Sequence, residues 1–173
     1  MIGVILDRQA KANGYGGFAE FLYQDLWCPL GNGESTLWTD DTGMPRTYAG
    51  LNAGMEDWAR IGELIRNSGR ANDRQIVPAE WIAEMSAPSQ LNPRYGYQMW
   101  LGGGWTEEPR RYNRDNPIGV THSAPFDTED LVFFDGFGGQ RVYVIPSAGL
   151  TIVRVGNVNL QYDDAIIPNL LTP

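Results

Sequence analysis

Phe134-Asp135-Gly136-Phe137-Gly138-Gly139-Gln140, running on into Arg141-Val142-Tyr143-Val144-Ile145-Pro146, is the stretch that decides the fold. Glycines packed at the entrance to a strand let another backbone or a ligand come close, and free N–H groups there can face an oxyanion. The same glycines serve a tight hairpin or a bulge, and composition alone favours that plainer reading. Residues 131–134, 141–145 and 150–155 are three β-rich runs, the last two joined through Pro146-Ser147-Ala148-Gly149 as a hairpin turn.

Upstream, Tyr95-Gly96-Tyr97-Gln98-Met99-Trp100-Leu101 reads as a further strand, after which Gly102-Gly103-Gly104 must turn or bulge. Residues 106–130 are polar and unpatterned, a long excursion of the kind that often borders a site. Earlier still the period becomes helical. Residues 2–9 read as the tail of a helix, which suggests that sequence precedes it, and residues 12–17 break it. Phe18, Phe21, Leu22 and Leu26 recur as a core-facing stripe that Pro29 and Gly31 stop. After a surface loop over 32–51, Glu56 and Asp57 occupy the first turn of a second helix with Trp58, Ile61, Gly62 and Ile65 on its buried face, closed by Ser68-Gly69. Pro78 opens a third helix through Trp81, Ile82 and Met85, and residues 163–171 suggest a short last helix that Pro168 interrupts.

The bulk numbers bound the function. A chain of 173 residues with 42% hydrophobic side chains buries a real core, and no repeat or linker divides it, so residues 1–173 read as one domain. Acidic residues outnumber basic ones 21 to 13, a net charge of −8, which disfavours both nucleic acid and anionic lipid as partners. No apolar run approaches a membrane span, and residues 1–6 lack the length and basic start of a signal peptide. Cys28 is the one cysteine, so no internal disulfide forms; its apolar neighbours suggest a buried structural thiol.

The chemistry-bearing residues are few. A compact serine hydrolase needs a Ser with Lys three positions later or a Gly-x-Ser-x-Gly elbow, and neither occurs; Lys11 is the lone lysine and no serine stands three residues before it. His122, the lone histidine, precedes Ser123, but adjacency alone does not make a nucleophile and base. One histidine and one cysteine do not make an ordinary zinc set, and no cofactor is implied. The acid pairs Asp40-Asp41 and Asp163-Asp164 read as turns facing water.

Taken in order, several segments resemble the serine β-lactamase-related hydrolases, the penicillin-binding-protein-like family of class C β-lactamases, esterases and nylon-oligomer hydrolases. Phe18-Ala19-Glu20-Phe21-Leu22 through Pro29-Leu30-Gly31 looks like that family's helix ending in Pro-Leu-Gly, and Glu56-Asp57-Trp58-Ala59-Arg60-Ile61-Gly62 looks like its next helix. The similarity continues through Gln75-Ile76-Val77-Pro78 with Trp81-Ile82, then residues 95–100, and then Gly136 to Pro146 followed by Leu150-Thr151-Ile152-Val153. It covers nearly the whole chain.

The resemblance implies an α/β (α+β) fold, part of a three-layer sandwich in which an antiparallel sheet is flanked by helices. The family's N-terminal strands and its Ser-x-x-Lys helix are not among these residues, and no Tyr-x-Asn occurs either. Met1 is then an internal start, a truncated gene, or a cut from a longer protein. Phe134-Asp135-Gly136 stands where the family writes Lys/His-Thr/Ser-Gly, which argues against β-lactam carboxylate recognition and fits the nylon-oligomer branch, with its Gly-x-x-Gly-Gln, better. By the same carry-over the Phe137 N–H is an oxyanion donor, and Tyr48, Asp135, Gly136, Gly138 and Gln140 are substrate-binding candidates. The implied function is the C-terminal part of a serine hydrolase cleaving a small amide or ester through an acyl-enzyme, inactive alone; the alternative is a non-catalytic remnant or binding module. The implied partners are the substrate and the N-terminal segment of the same domain. Without that segment the sheet exposes an edge, predicting self-association. Family members are often exported, but nothing in these residues states a compartment.

Overall fold

The computed structural model describes residues 2–104, 111–113, 116–117 and 121–172. Much of the 106–130 excursion lies outside the described residues. The chain opens with helix α1 (Ile2–Ala12) and the short α2 (Phe18–Leu22), which runs into a π turn over Tyr23–Trp27 and a tight turn over Cys28–Leu30, ended by the left-handed Gly31. A π turn inserts an extra residue into the helical repeat, so the expected stripe loses its phase. Trp27 and Leu30 turn inward, whereas Phe21 remains 38% exposed. Cys28 is likewise exposed, which corrects the expectation of a buried thiol: the tight turn points it outward while Trp27 before it and Leu30 after it are buried.

Strands β1 (Thr36–Leu37) and β2 (Leu51–Asn52) then pair across the loop. Helix α3 (Met55–Arg66) starts where Asp57 accepts a hydrogen bond from the Gly54 N–H at 3.2 Å, and the same carboxylate accepts one from the Gly33 N–H at 2.9 Å. A small hairpin, β3 (Arg70–Ala71) with β4 (Arg74–Gln75), leads to helix α4 (Ala79–Met85). Of the strand expected over 95–101 only β5 (Trp100–Leu101) forms; Gln98 adopts a positive φ of 57°, which breaks extended pairing just before it. The pair β6 (Arg111–Asn113) and β7 (Asn116–Pro117) follows.

The main sheet is completed by β8 (Val132–Gly136), β9 (Gln140–Ile145) and β10 (Leu150–Arg154), in the antiparallel order β10-β9-β8-β5. Alternation along these strands separates two cores. Val132, Val142 and Val144 join Ile65 of α3 and Ile82 of α4 on one face. Leu131, Phe133, Tyr143 and Ile145 join Trp100 and Phe126 on the other. Gly62 lets α3 settle on the sheet, because a Cβ there would stand 2.5 Å from Thr151 Cγ2 and 3.0 Å from Val142 Cγ1. Helix α5 (Ile166–Leu171) ends the described chain, and Pro168 lies within its first turn, where the missing N–H costs nothing.

Candidate active site

The glycine-rich segment is the hairpin connection between β8 and β9. Asp135 pairs with Arg141 and Gly136 with Gln140 across the two strands, leaving Phe137–Gly139 as a single tight helical turn. Gly138 and Gly139 take φ of 71° and 84°, a conformation that side-chain-bearing residues rarely adopt. The plainer reading of this stretch is therefore the geometry found, and it does not exclude the functional one. Phe137 opens the turn with its residue 80% exposed, and the first N–H groups of a helical turn have no partner within it.

Beneath the turn lies a buried charge cluster. Arg141, 3% exposed, places its Nε 2.6 Å from Asp164 Oδ1 and its Nη1 2.6 Å from Asp135 Oδ1. The same Nη1 donates to the Gly136 carbonyl at 2.9 Å and the Gln140 carbonyl at 2.8 Å, so two hydrogens are shared among three acceptors. Arg154, directly across the ladder from Arg141, donates to the Gly139 carbonyl at 2.7 Å. The two guanidinium groups stand 5.5 and 4.6 Å from the centre of the Tyr162 ring, so both cations lie against the same aromatic side chain. Burial alone pushes the Arg141 pKa down, but the charges of Asp164 and Asp135 outweigh it and hold the guanidinium above its ordinary value. Burial, reinforced by the Asp164 charge, pushes the Tyr143 phenol up, so its hydroxyl stays protonated within 3.3 Å of Asp164 Oδ1.

Asp164 thus corrects the reading of Asp163-Asp164 as acids facing water: it is 0% exposed, because a buried guanidinium requires a partner. Asp163 takes a different task, accepting hydrogen bonds from the N–H groups of Ser123 (3.2 Å) and Ala165 (3.1 Å). Burial raises its pKa and these bonds, with the nearby His122, bring the net below the ordinary value. Ser123 is therefore bound to an acid, which is not the arrangement of a nucleophile with its base. Asp40 and its exposed neighbour Asp41 do face water, with Asp40 closing its own turn onto the Thr42 and Met44 N–H groups.

The other candidates divide. The Asp135 side chain is committed to Arg141, and Gly136 contributes its carbonyl to the same grip. Gly138 is buried against Val158, and its carbonyl accepts the Asn159 N–H at 2.9 Å. The Gln140 amide donates to the Gly156 carbonyl at 2.8 Å and accepts the Gly156 N–H at 2.9 Å. Turn and 156–159 segment are thereby one unit, with Phe137 and Val158 both exposed on it. Tyr48 is 74% exposed, and among the described residues no hydrogen bond, ion pair or ring contact joins it to the turn. Two hollows of the described surface also lie elsewhere, one of about 480 Å³ between Lys11, Phe18 and Met44 and one of about 640 Å³ between Tyr23, Trp27 and Asn52.

Sequence reading missed Arg141, Arg154, Tyr162 and Asp164. A usable signal was present: Arg141 shares its strand face with Tyr143 and Ile145, both fully buried, so a charge there had to find a buried partner.

No protein-family model and no curated protein matches the chain closely enough to count as a relative. Solved structures do resemble it. A Bacillus anthracis protein named as a 6-aminohexanoate-dimer hydrolase is 22% identical, with a TM-score of 0.65 over 95% of this chain and 38% of its own. A Bacteroides dorei protein named as a β-lactamase is 17% identical, with a TM-score of 0.58 over 95% of this chain and 52% of its own. A Mycobacterium bovis β-lactamase is 14% identical, with a TM-score of 0.63 over 98% of this chain and 58% of its own. The chain spans 38% to 58% of the length of these structures. Helices on an antiparallel sheet, matched over nearly all its residues, give this chain the fold of part of a β-lactamase/penicillin-binding-protein-like domain.

Proposed function

We propose that the chain is the C-terminal part of a serine hydrolase that cleaves small amides or esters through an acyl-enzyme, with nucleophile and base supplied from outside these 173 residues. The observation that carries the reading is the exposed Phe137 at the head of a turn whose carbonyls are taken up from inside, leaving an N–H available to a developing oxyanion. Phe134 and Asp135 in place of a basic residue and a hydroxyl argue for a substrate without the carboxylate of a β-lactam.

The test is to express the chain joined to the sequence encoded immediately upstream and to measure nitrophenyl-ester and short-chain amide turnover, with labelling by a serine-reactive fluorophosphonate. Turnover with label on an upstream serine supports the reading. Absence of both favours a second one, a non-catalytic binding module, for which the commitment of Asp135 to Arg141 speaks.

The same proposal gives β10 a partner. Among the described residues β10 pairs with β9 alone, so its outer backbone groups await a strand from the N-terminal segment. We expect the chain by itself to associate through this edge, visible as concentration-dependent sedimentation; a monodisperse monomer at all concentrations would count against it.

A further inference from the structure

We propose that Arg141 is the positioning residue of this site: by gripping the Gly136 carbonyl from the interior, it aims the Phe137 N–H toward the exposed side of the turn. The Gly136 C=O and the Phe137 N–H belong to one peptide unit, and in a planar trans peptide they point in opposite directions. Arg141, 3% exposed, donates from Nη1 to that carbonyl at 2.9 Å. The N–H therefore faces away from the core, on the side where Phe137 itself is exposed.

The grip is built to hold. The guanidinium is anchored at Asp135 and Asp164, on different elements, so it cannot swing without abandoning a buried carboxylate. Its second carbonyl, that of Gln140, fixes the far end of the same turn. A planar fork does this; a lysine ammonium, a single point charge, cannot keep Asp164, Asp135 and both carbonyls in reach together. Arg154 holds the Gly139 carbonyl and leaves the Gly136–Phe137 peptide untouched, which makes it the natural control.

The purpose of this device rests on the hydrolase reading, whereas its geometry does not, and the experiment separates them. In the ¹⁵N-labelled chain the Phe137 N–H is expected to be rigid, with an order parameter of about 0.85, falling below about 0.6 in Arg141→Lys and staying rigid in Arg154→Gln. An unchanged order parameter and N–H residual dipolar coupling in folded Arg141→Lys overturns the proposal. If that variant fails to fold, the wild-type arginine decides: separate, slowly rotating Hη signals are expected, and one averaged signal overturns it. In the active full-length hydrolase Arg141→Lys lowers kcat with KM held, by less than the roughly 10²–10³-fold of losing the donor outright. A wild-type protein without turnover sinks the hydrolase reading and leaves the NMR result standing.

Discussion

Two regions of this molecule handle side chains in opposite ways. Under the 136–140 turn, Asp135, Arg141 and Asp164 are packed away from solvent, and each is matched by an opposite charge. In the first fifty residues Ile2 is 72% exposed and Trp38 56%, and Ile5 and Tyr48 are also exposed. One region buries charge at a cost that full pairing repays, and the other leaves apolar surface in water. The difference teaches that local order here is set by completeness of partners more than by polarity. The turn carries its partners within the described residues, while the N-terminal surface leaves several large apolar side chains uncovered by any of them.

The largest effect should come from breaking the charge cluster. Asp164→Ala leaves Arg141 with one buried acid and is expected to cost about 3–5 kcal/mol in urea unfolding, whereas Trp38→Ala stays within about 0.5 kcal/mol. Equal costs would erase the contrast between the regions. Next is Phe137→Pro, which deletes the N–H along with the phenyl ring and leaves the backbone in place: Gly136 before it is extended (φ −90°, ψ 155°) and the first position of a helical turn accepts proline. Turnover by the full-length hydrolase should fall about 10²–10³-fold while Phe137→Ala stays active; full activity in the proline variant would rule out an oxyanion role.

Gly62→Ala is smaller, about 1–3 kcal/mol, since the added methyl meets Thr151 and Val142 and α3 must lift. A melting temperature equal to wild type would show that the helix is not seated as closely as described. Smallest is a pH effect at the same contact. Glu63 is held below its ordinary value by the Arg66 hydrogen bond, against burial and with help from Thr151. A depressed carboxylate contributes stability above its unfolded value and loses it as the pH falls through the folded one. Urea midpoints should therefore drop below about pH 4.5 in wild type, and part of that drop should be missing in Glu63→Gln.

What the sequence made legible followed from local rules. The three strands at 131–155, the proline-opened α4 and the face of α3 rest on alternation, helical period and first-turn acids, all read within a few residues. The failures were non-local or subtle. Nothing in the spacing of Phe18, Phe21 and Leu22 signals the π turn that begins at the next residue, and the positive φ at Gln98 is the least expected of conformations for a strand-like sequence. Arg141 and Asp164 stand 23 residues apart and meet only in the folded sheet, so Asp164 read as half of a solvated acid pair. The turn was legible as a turn; the orientation of its peptides was not, because that depends on side chains that arrive from three elements.

Gln140 acts in the fold as a surrogate peptide group. Its carboxamide both donates to and accepts from the backbone of Gly156, the reciprocal exchange that two facing strand residues make. The ladder between β9 and β10 ends at Arg141 and Arg154, and this side chain adds one more rung beyond it. The chain leaving β10 is thereby led over the turn to deliver Asn159 to Gly138, so one amide sets both where the sheet stops and what roofs its glycines. A carboxylate of the same shape could accept from that backbone but never donate, and the roof would hang from half its fastening.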